Sequence, residues 1–354
     1  MMKHSQLLQS AGYLVALAPG LLLAVSTYAS HPYLPFLGLI VVAPFLRALF
    51  GDFDETPAPE WSEQVAAFLE LLPIIVGLVY IGALLYFISK LAHLMQISMI
   101  GTTLSLWTSS LFASCVAHEL LHRKTLVARN IGRLVAGAMG YPLLEHEHRS
   151  HHASSGSSKL PEWPRITESV WRFSGRRFRH TLSSSWHGNR VAAMRNGRIF
   201  SGGLPLAIAS FVTCTCLFFW YGGTAGLLIY LVQSVATAWG MHAMTYVQHW
   251  GLGRDDNVSE RYTDLAWEDT CKLQNWLTFG IPYHQSHHQK NNRAYYRLAP
   301  TVGAPRQPAG YVVLLIACCF PPVWRALMLP ALGAWRASEK PLSAGRSLIC
   351  IRRR

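Results

Sequence analysis

Residues 95–122 read MQISMIGTTLSLWTSSLFASCVAHELLH, an apolar run that ends in two histidines. The run is long enough for a helix to cross a membrane, which takes about 20 apolar residues. On a helix, residues i and i+4 share one face about 6 Å apart, so His118 and His122 can reach one metal ion. This stretch therefore predicts a membrane helix with a metal site at its end.

Five other apolar stretches predict membrane helices of similar length. Together they indicate an all-α fold, a polytopic membrane helical bundle of about six transmembrane helices with a cytosolic histidine-rich cap. The composition agrees, since 51% of the 354 residues are hydrophobic and only 14% are charged. The predicted spans are Ala11–Ala29, Tyr33–Phe50, Ala66–Ile88, Met95–Ala117, Gly203–Tyr221 and Thr224–Val247.

The charge distribution predicts how the chain is oriented. Its net charge is +13, and the excess of Lys and Arg lies in the segment Arg123–Arg198 and from Lys272 to the tail Arg352–Arg354. The positive-inside rule then predicts that residues 118–202 and 248–354 are cytosolic and that both termini are cytosolic. We expect residues 1–354 to form a single integral-membrane domain. We expect a bacterial inner membrane as its location.

The same basic residues limit the class of partner. They adjoin membrane spans and belong to no recognisable nucleic-acid module, which argues against nucleic acid as a partner. Arg176, Arg177 and Arg179 would suit an acidic electron carrier, because complementary charge speeds encounter. The seven cysteines form no C-x-x-C pair and are expected to be reduced.

Ten of the 16 histidines form four groups along the chain. Two triplets, His148-x-x-His151-His152 and His284-x-x-His287-His288, can each serve one ion or be split between two. Imidazoles gathered away from water lose about 1–3 kcal/mol for each nitrogen left unpaired, and a bound metal removes that loss. Nine or ten imidazoles exceed what one ion accepts, so at least two metal ions are predicted, although imidazole alone does not distinguish Zn, Cu, Fe and Ni.

The four histidine boxes resemble those of the membrane alkane hydroxylases, or alkane 1-monooxygenases, within the integral-membrane fatty-acid desaturase/hydroxylase superfamily. The boxes are His118-Glu-Leu-Leu-His122, Glu147-His148-Arg-Ser-His151-His152, Gln248-His249-Trp-Gly-Leu-Gly-Arg254 and His284-Gln-Ser-His287-His288. The segment Arg293-Ala-Tyr-Tyr-Arg-Leu298 also resembles the family, and the similarity extends from about the second span to Pro300.

This resemblance implies an oxidoreductase with two non-haem Fe ions and O2 as co-substrate. It would hydroxylate an unactivated C–H bond of a hydrophobic substrate from the bilayer, at the terminal carbon of an alkane. Electrons would come from a rubredoxin- or ferredoxin-type donor with its reductase. The implied metal ligands are His118, His122, His148, His151, His152, His249, His284, His287 and His288.

The second box departs from the family pattern. The family usually has three residues between the first histidine of this box and the His-His pair, a position that Glu147 occupies here. Either His146 or His148 must then serve, and the i, i+3, i+4 spacing favours His148. Glu119, Glu145 and Glu147 are candidates for accepting hydrogen bonds from ligand imidazoles and so orienting them. The alternative is that these carboxylates are solvated or paired with Arg123 and Arg149.

Other functions fit parts of the sequence. A fatty-acyl desaturase or hydroxylase of the same superfamily shares the first chemical step, and the motif from His249 to Arg254 favours hydroxylation. His118-Glu119-x-x-His122 also matches the zinc-protease signature, with Glu119 as general base, but the other histidines would then be idle. A metal transporter would place its ligands near the bilayer midplane rather than at span ends.

Overall fold

The computed structural model describes residues 9–53, 60–153, 156–157, 159–196, 203–253, 266–289 and 293–339. Within them the chain is helical, with two isolated β-bridges and no strand, which confirms the predicted all-α class. Arg254 and the basic tail at 352–354 lie outside the described residues.

The amino-terminal half consists of long apolar helices. They are α1 (Gln9–Ala29), α2 (Leu34–Phe50), α3 (Glu63–Ser89), the short α4 (Leu91–Ile97) and α5 (Met99–Leu121). The Ser98 side chain accepts a hydrogen bond from the backbone N–H of Gly101 and so begins α5, later than the predicted start at Met95. The helix continues to Leu121, which places His118 within its last turn.

The remaining helices are shorter, apart from two. They are α6 (Leu126–Ala138), α7 (Leu144–Ala153), α8 (Val170–Asn196), α9 (Leu204–His249), α10 (Lys272–Leu277), α11 (His284–Gln289), α12 (Tyr311–Cys318) and α13 (Pro321–Glu339). The proline-interrupted stretch after Tyr311 forms α12 and α13 rather than one straight helix, as its prolines predict.

Helix α9 is broken at Gly223, whose φ of 57° and ψ of −151° are open to glycine and strained for other residues. The break falls between the fifth and sixth predicted spans. By length and composition, α1, α3, α5 and α9 can cross a membrane, and α2 is a shorter apolar helix. The protein is therefore a membrane protein, while six crossings stay a prediction.

Packing between the long helices positions the site. Helix α9 packs against α5 and α6, and α1 packs against α3. Gly137 allows α6 to lie close against α9, because a Cβ there would lie 2.2 Å from the carbonyl oxygen of Ala207. Helix α7 packs against the end of α5 and against α8. The ends of α5 and α9 thus meet the two short helices that carry the histidine triplets.

Candidate metal centre

Four separate segments bring nine histidines together. His118 and His122 come from the end of α5, and His249 is the last residue of α9. The short helices α7 and α11 supply three histidines each. The nine residues are those that the sequence predicts as ligands.

The nine histidines form two groups, in each of which the ligand nitrogens lie within 4.8 Å of one another. The five-histidine group consists of His118, His122, His148, His152 and His287. The four-histidine group consists of His151, His249, His284 and His288. The groups are adjacent, since the rings of His152 and His288 have centroids 4.6 Å apart.

Helix geometry explains how each triplet is divided. Successive residues of an α-helix turn by about 100°, so i and i+4 differ by about 40° while i+3 points about 60° the other way. Accordingly His148 and His152 share one group and His151 joins the other. His284 and His288 share the second group, and His287 joins the first. Each triplet therefore contributes histidines to both groups. Of the two arrangements that the spacing allows, one ion per triplet or a triplet split between two ions, the structure has the split arrangement.

The ring nitrogens within a group are close together. The Nε2 atoms of His148 and His152 lie 3.0 Å apart, and those of His152 and His287 lie 3.1 Å apart. In the four-histidine group, Nε2 of His284 lies 3.0 Å from Nε2 of both His249 and His288.

These distances fit metal binding better than mutual hydrogen bonding. A ring nitrogen of a neutral imidazole either donates one hydrogen bond or accepts one. Nε2 of His284 can therefore form a hydrogen bond with only one of its two neighbours, His249 or His288. A metal ion about 2.1 Å from two nitrogens, with the ligands at right angles, would separate those nitrogens by about 3.0 Å. The residues present therefore fit one ion in each group.

The electrostatics of the site keep the imidazoles neutral. Burial, followed by repulsion between neighbouring imidazoles, holds the pKa of His148, His287 and His288 well below the ordinary value. Burial lowers the pKa of His122 to about 3 and that of His152 to about 4. The neutral imidazole is the form that binds a metal ion.

His146, the alternative ligand from the second box, belongs to neither group. It is half-buried, and its Nε2 lies 3.0 Å from the Oγ of Ser184 on α8. His148 lies in the five-histidine group instead. The geometry thus agrees with the i, i+3, i+4 spacing.

Of the alternatives for Glu119 and Glu147, the structure shows pairing with arginines, Glu119 with Arg123 and Glu147 with Arg177. Glu119 is buried, pairs with Arg123 at 2.7 Å and accepts a hydrogen bond from the backbone N–H of Tyr295. Glu147 turns away from the two groups, and its partners lie on the segment before α7 and on α8 and α9. Charge decides this outcome, because a buried carboxylate is stabilised more by a guanidinium than by a neutral ring.

Glu147 joins four parts of the fold through buried partners. Its carboxylate pairs with Arg177 at 2.9 Å and lies 2.9 Å from Nε2 of His242. Tyr141 and Thr181 donate hydrogen bonds to the same carboxylate. Arg177, foremost among these charges, holds the pKa of Glu147 below its usual range despite burial. The carboxylate therefore fixes α7, which carries three of the nine histidines.

The predicted basic docking face on α8 is corrected at Arg177. Arg177 is buried at 2% exposure and pairs with Glu147 and, at 3.4 Å, with Glu162. Arg176 pairs with Glu168. Arg177 is therefore not part of a surface for an electron carrier. The side chain of Arg176 is 20% exposed and Arg179 is exposed, so a docking role for these two residues stays a prediction.

Sequence reasoning missed Trp163. Its fully buried indole contacts the four-histidine group, with ring centroids 4.0 Å from His249 and 5.5 Å from His151. A single tryptophan in a polar segment shows no periodic pattern, so the sequence offers no signal for this contact. The indole excludes water from one side of the group.

The region that forms this site also matches a known protein family. The sequence model of the fatty acid desaturase family matches residues 95–315, more than half of the chain. The chain belongs to the fatty acid desaturase family. The matched region includes all nine histidines of the two groups.

The chain is also similar to curated monooxygenases. Alkane 1-monooxygenase 2 of Pseudomonas aeruginosa is 27% identical over 336 residues, 87% of this chain and 86% of the relative. Alkane 1-monooxygenase 1 of the same species is 25% identical, covering 88% of this chain and 87% of the relative. The xylene/toluene monooxygenase hydroxylase component XylM of Pseudomonas putida is 25% identical, covering 80% and 78%. The predicted resemblance to the alkane hydroxylases, and with it the oxidoreductase class, is confirmed.

Proposed function

We propose that this protein hydroxylates an unactivated C–H bond of a hydrophobic substrate with O2, at a di-iron centre held by the nine histidines. The terminal carbon of an alkane is the proposed position of attack. The observation that supports this most directly is the convergence of nine imidazoles into two adjacent groups. A zinc protease needs one such group, and its general base, Glu119, is instead paired here with Arg123.

An apolar cavity of about 110 Å³ supports a hydrocarbon substrate. Leu111 and Cys115 line it, and on α5 they continue into His118 and His122 at i+4, i+7 and i+11, which is one stripe of a helix. Met244 and Ile281 also line the cavity. Along the chain, Met244 lies five residues before His249, and Ile281 lies three residues before His284. Three of the segments that line the cavity therefore lead to histidines of the two groups, and the rest of its wall comes from α2, α10 and α12.

In this proposal the protein itself binds the substrate, orients it and shields it from water. Two irons bound by the histidines would supply the activation of O2 and the oxidation of the C–H bond. The apolar wall of the cavity binds the hydrocarbon substrate by removing its surface from water. The stripe of α5 residues from Leu111 to His118 directs one end of the hydrocarbon toward His118. Trp163 and the buried imidazoles keep water from the reacting region.

The electrons would come from another protein. The sequence has no dinucleotide fingerprint, because Gly251-Leu-Gly253 lacks the third glycine and the strand–helix setting. We propose a rubredoxin- or ferredoxin-type carrier with its own reductase as the donor.

Fatty-acyl hydroxylation or desaturation is the second candidate, because the matching family is named for fatty acid desaturases. Product analysis distinguishes the two. Purified protein with a reductase and rubredoxin should convert dodecane to 1-dodecanol, and it should contain iron at about two ions per chain, one for each group. Turnover of lauric acid but not dodecane would favour the second candidate, and a single zinc would contradict both.

The apolar cavity leads to a prediction for Ala43, which lines it from α2. Ala43→Phe should fill part of the space and lower kcat/KM for dodecane by about tenfold or more, because apolar pockets distinguish substrates that differ by a few methylenes. Octane should be affected less, since a shorter chain needs less of the cavity. The measurement is product formation for both substrates by gas chromatography.

Leu49→Phe is the matched control on the same helix, since Leu49 is 79% exposed and lies outside the cavity wall. It should leave both rates near those of the unaltered protein. Equal losses for octane and dodecane in Ala43→Phe would contradict a role of this cavity in holding the substrate.

A further inference from the structure

The two histidine groups differ in their exposure to solvent. All four members of the four-histidine group are buried, with His249 at 0% and the most exposed, His288, at 8%. In the five-histidine group only His287 is buried, and the other four are partly exposed. Two ions bound there would therefore face different barriers to leaving.

A solvent-open cavity leads to the five-histidine group. Its volume is about 1230 Å³, and it lies between the start of α3, the end of α5 and the segment 293–297. His122 forms part of its wall, beside Glu119 and Arg123, and no histidine of the four-histidine group does. Among the described residues, this cavity gives an aqueous ion access to the five-histidine group and does not reach the four-histidine group.

Trp163 closes the four-histidine group on another side. Besides His249 and His151, its ring faces His288 with centroids 6.0 Å apart. The backbone carbonyl of Trp163 accepts a hydrogen bond from Nη2 of Arg176 at 3.0 Å, which holds the segment in place. An ion in the four-histidine group would therefore have the indole of Trp163 on one side. On another side it would have the five-histidine group, whose His152 contacts His288.

We propose that metal ions load and leave through the cavity at His122, so that the five-histidine position exchanges with solvent quickly and the four-histidine position slowly. The ion in the inner position passes the outer one, because the two groups adjoin at His152 and His288. The outer iron is then the one lost first to a chelator. This inference rests on the proposed two-metal function and concerns the access route alone.

Release of iron to a water-soluble ferrous chelator tests the proposal. Full-length, iron-loaded protein in detergent is reduced with dithionite without oxygen, ferrozine is added, and its coloured iron complex is followed. The first iron of each chain should be released about tenfold or more faster than the second. Residues that surround metal ligands change metal affinity by about 10–100-fold, so a difference in release rate of this size is expected. Release of both irons in one phase would overturn the proposal.

Two variants assign the phases. Ala67 is an exposed residue in the wall of the cavity, and Ala67→Trp should slow the fast phase. The slow phase should change less, because it is limited by passage of the inner ion to the five-histidine position. Trp163→Ala should speed the slow phase only, by uncovering the four-histidine group. The controls are Gln64→Trp, an exposed residue of α3 outside the cavity wall, and Trp186→Ala, whose side chain is 70% exposed.

The outcomes separate the access route from the function. A slow phase unchanged in Trp163→Ala, or a fast phase unchanged in Ala67→Trp, contradicts the route while leaving a two-iron enzyme intact. If Trp163→Ala does not fold, the biphasic release from unaltered protein and the Ala67→Trp variant still decide. A protein that holds one ion after loading with excess ferrous iron contradicts the proposed function instead.

Discussion

Replacing His287 and His288 together by alanine is expected to abolish hydroxylation and to empty both metal positions. His287 belongs to the five-histidine group and His288 to the four-histidine group, so the double variant removes one imidazole from each. Residues that only orient ligands already change metal affinity by about 10–100-fold, and loss of a ligand should exceed about 100-fold. Iron content and product formation from dodecane are the two measurements.

The single variants sharpen this prediction, because the two residues adjoin in sequence but lie in different groups. His287→Ala should lose the iron of the five-histidine group, and His288→Ala the iron of the four-histidine group, so each keeps about half of the metal.

His146→Ala is the matched control for the metal prediction. His146 is a histidine of α7 that contacts Ser184 and lies in neither group. It should keep the iron content and most of the activity. Full activity in the double variant, or loss of metal in His146→Ala equal to that in His288→Ala, would refute the assignment of ligands.

Glu147→Ala is expected to destabilise the protein strongly, because it leaves a buried positive charge without its closest partner. Arg177 is buried at 2% exposure, and removal of Glu147 leaves its guanidinium with the 3.4 Å contact to Glu162. Breaking a buried ion pair on one side costs about 3–5 kcal/mol. The hydrogen bonds from Tyr141 and Thr181 are lost as well. Thermal unfolding in detergent, followed by circular dichroism, should show a clearly lower Tm.

Glu70→Gln is the control for that measurement. Glu70 also pairs with an arginine, Arg123, but its side chain is 54% exposed. Exposed ion pairs contribute about 0–1 kcal/mol, so its Tm should stay close to that of the unaltered protein. A Tm for Glu147→Ala equal to that of Glu70→Gln would show that the carboxylate does not hold α7 in place.

Several features of the site could be read from local sequence. The run that ends in His118 and His122 predicts a helix and a shared ligand face, and both are properties of residues within one or two turns. The break between the predicted fifth and sixth spans lies at Gly222-Gly223, where glycine permits the backbone to leave the helix. Nine clustered imidazoles predict two metals because coordination number limits how many each ion accepts.

Long-range partners could not be read in this way. Glu147 and Arg177 are 30 positions apart, and nothing in their neighbouring residues shows that they pair in the interior. The stretch Arg176–Arg179 has the composition of an exposed basic face, yet Arg177 is buried because a carboxylate from α7 lies against it. Trp163 is likewise defined by its neighbours in space.

The sequence by itself determined the helical membrane class, and it predicted nine histidine ligands and more than one metal ion, because apolar length, helical period and ligand type are local properties. Only the tertiary structure decided how the triplets divide between the two groups, which glutamates turn away from the imidazoles and which group faces solvent. Those outcomes depend on how α5, α7, α9 and α11 approach one another, and that approach is set by packing and buried charge over the whole chain.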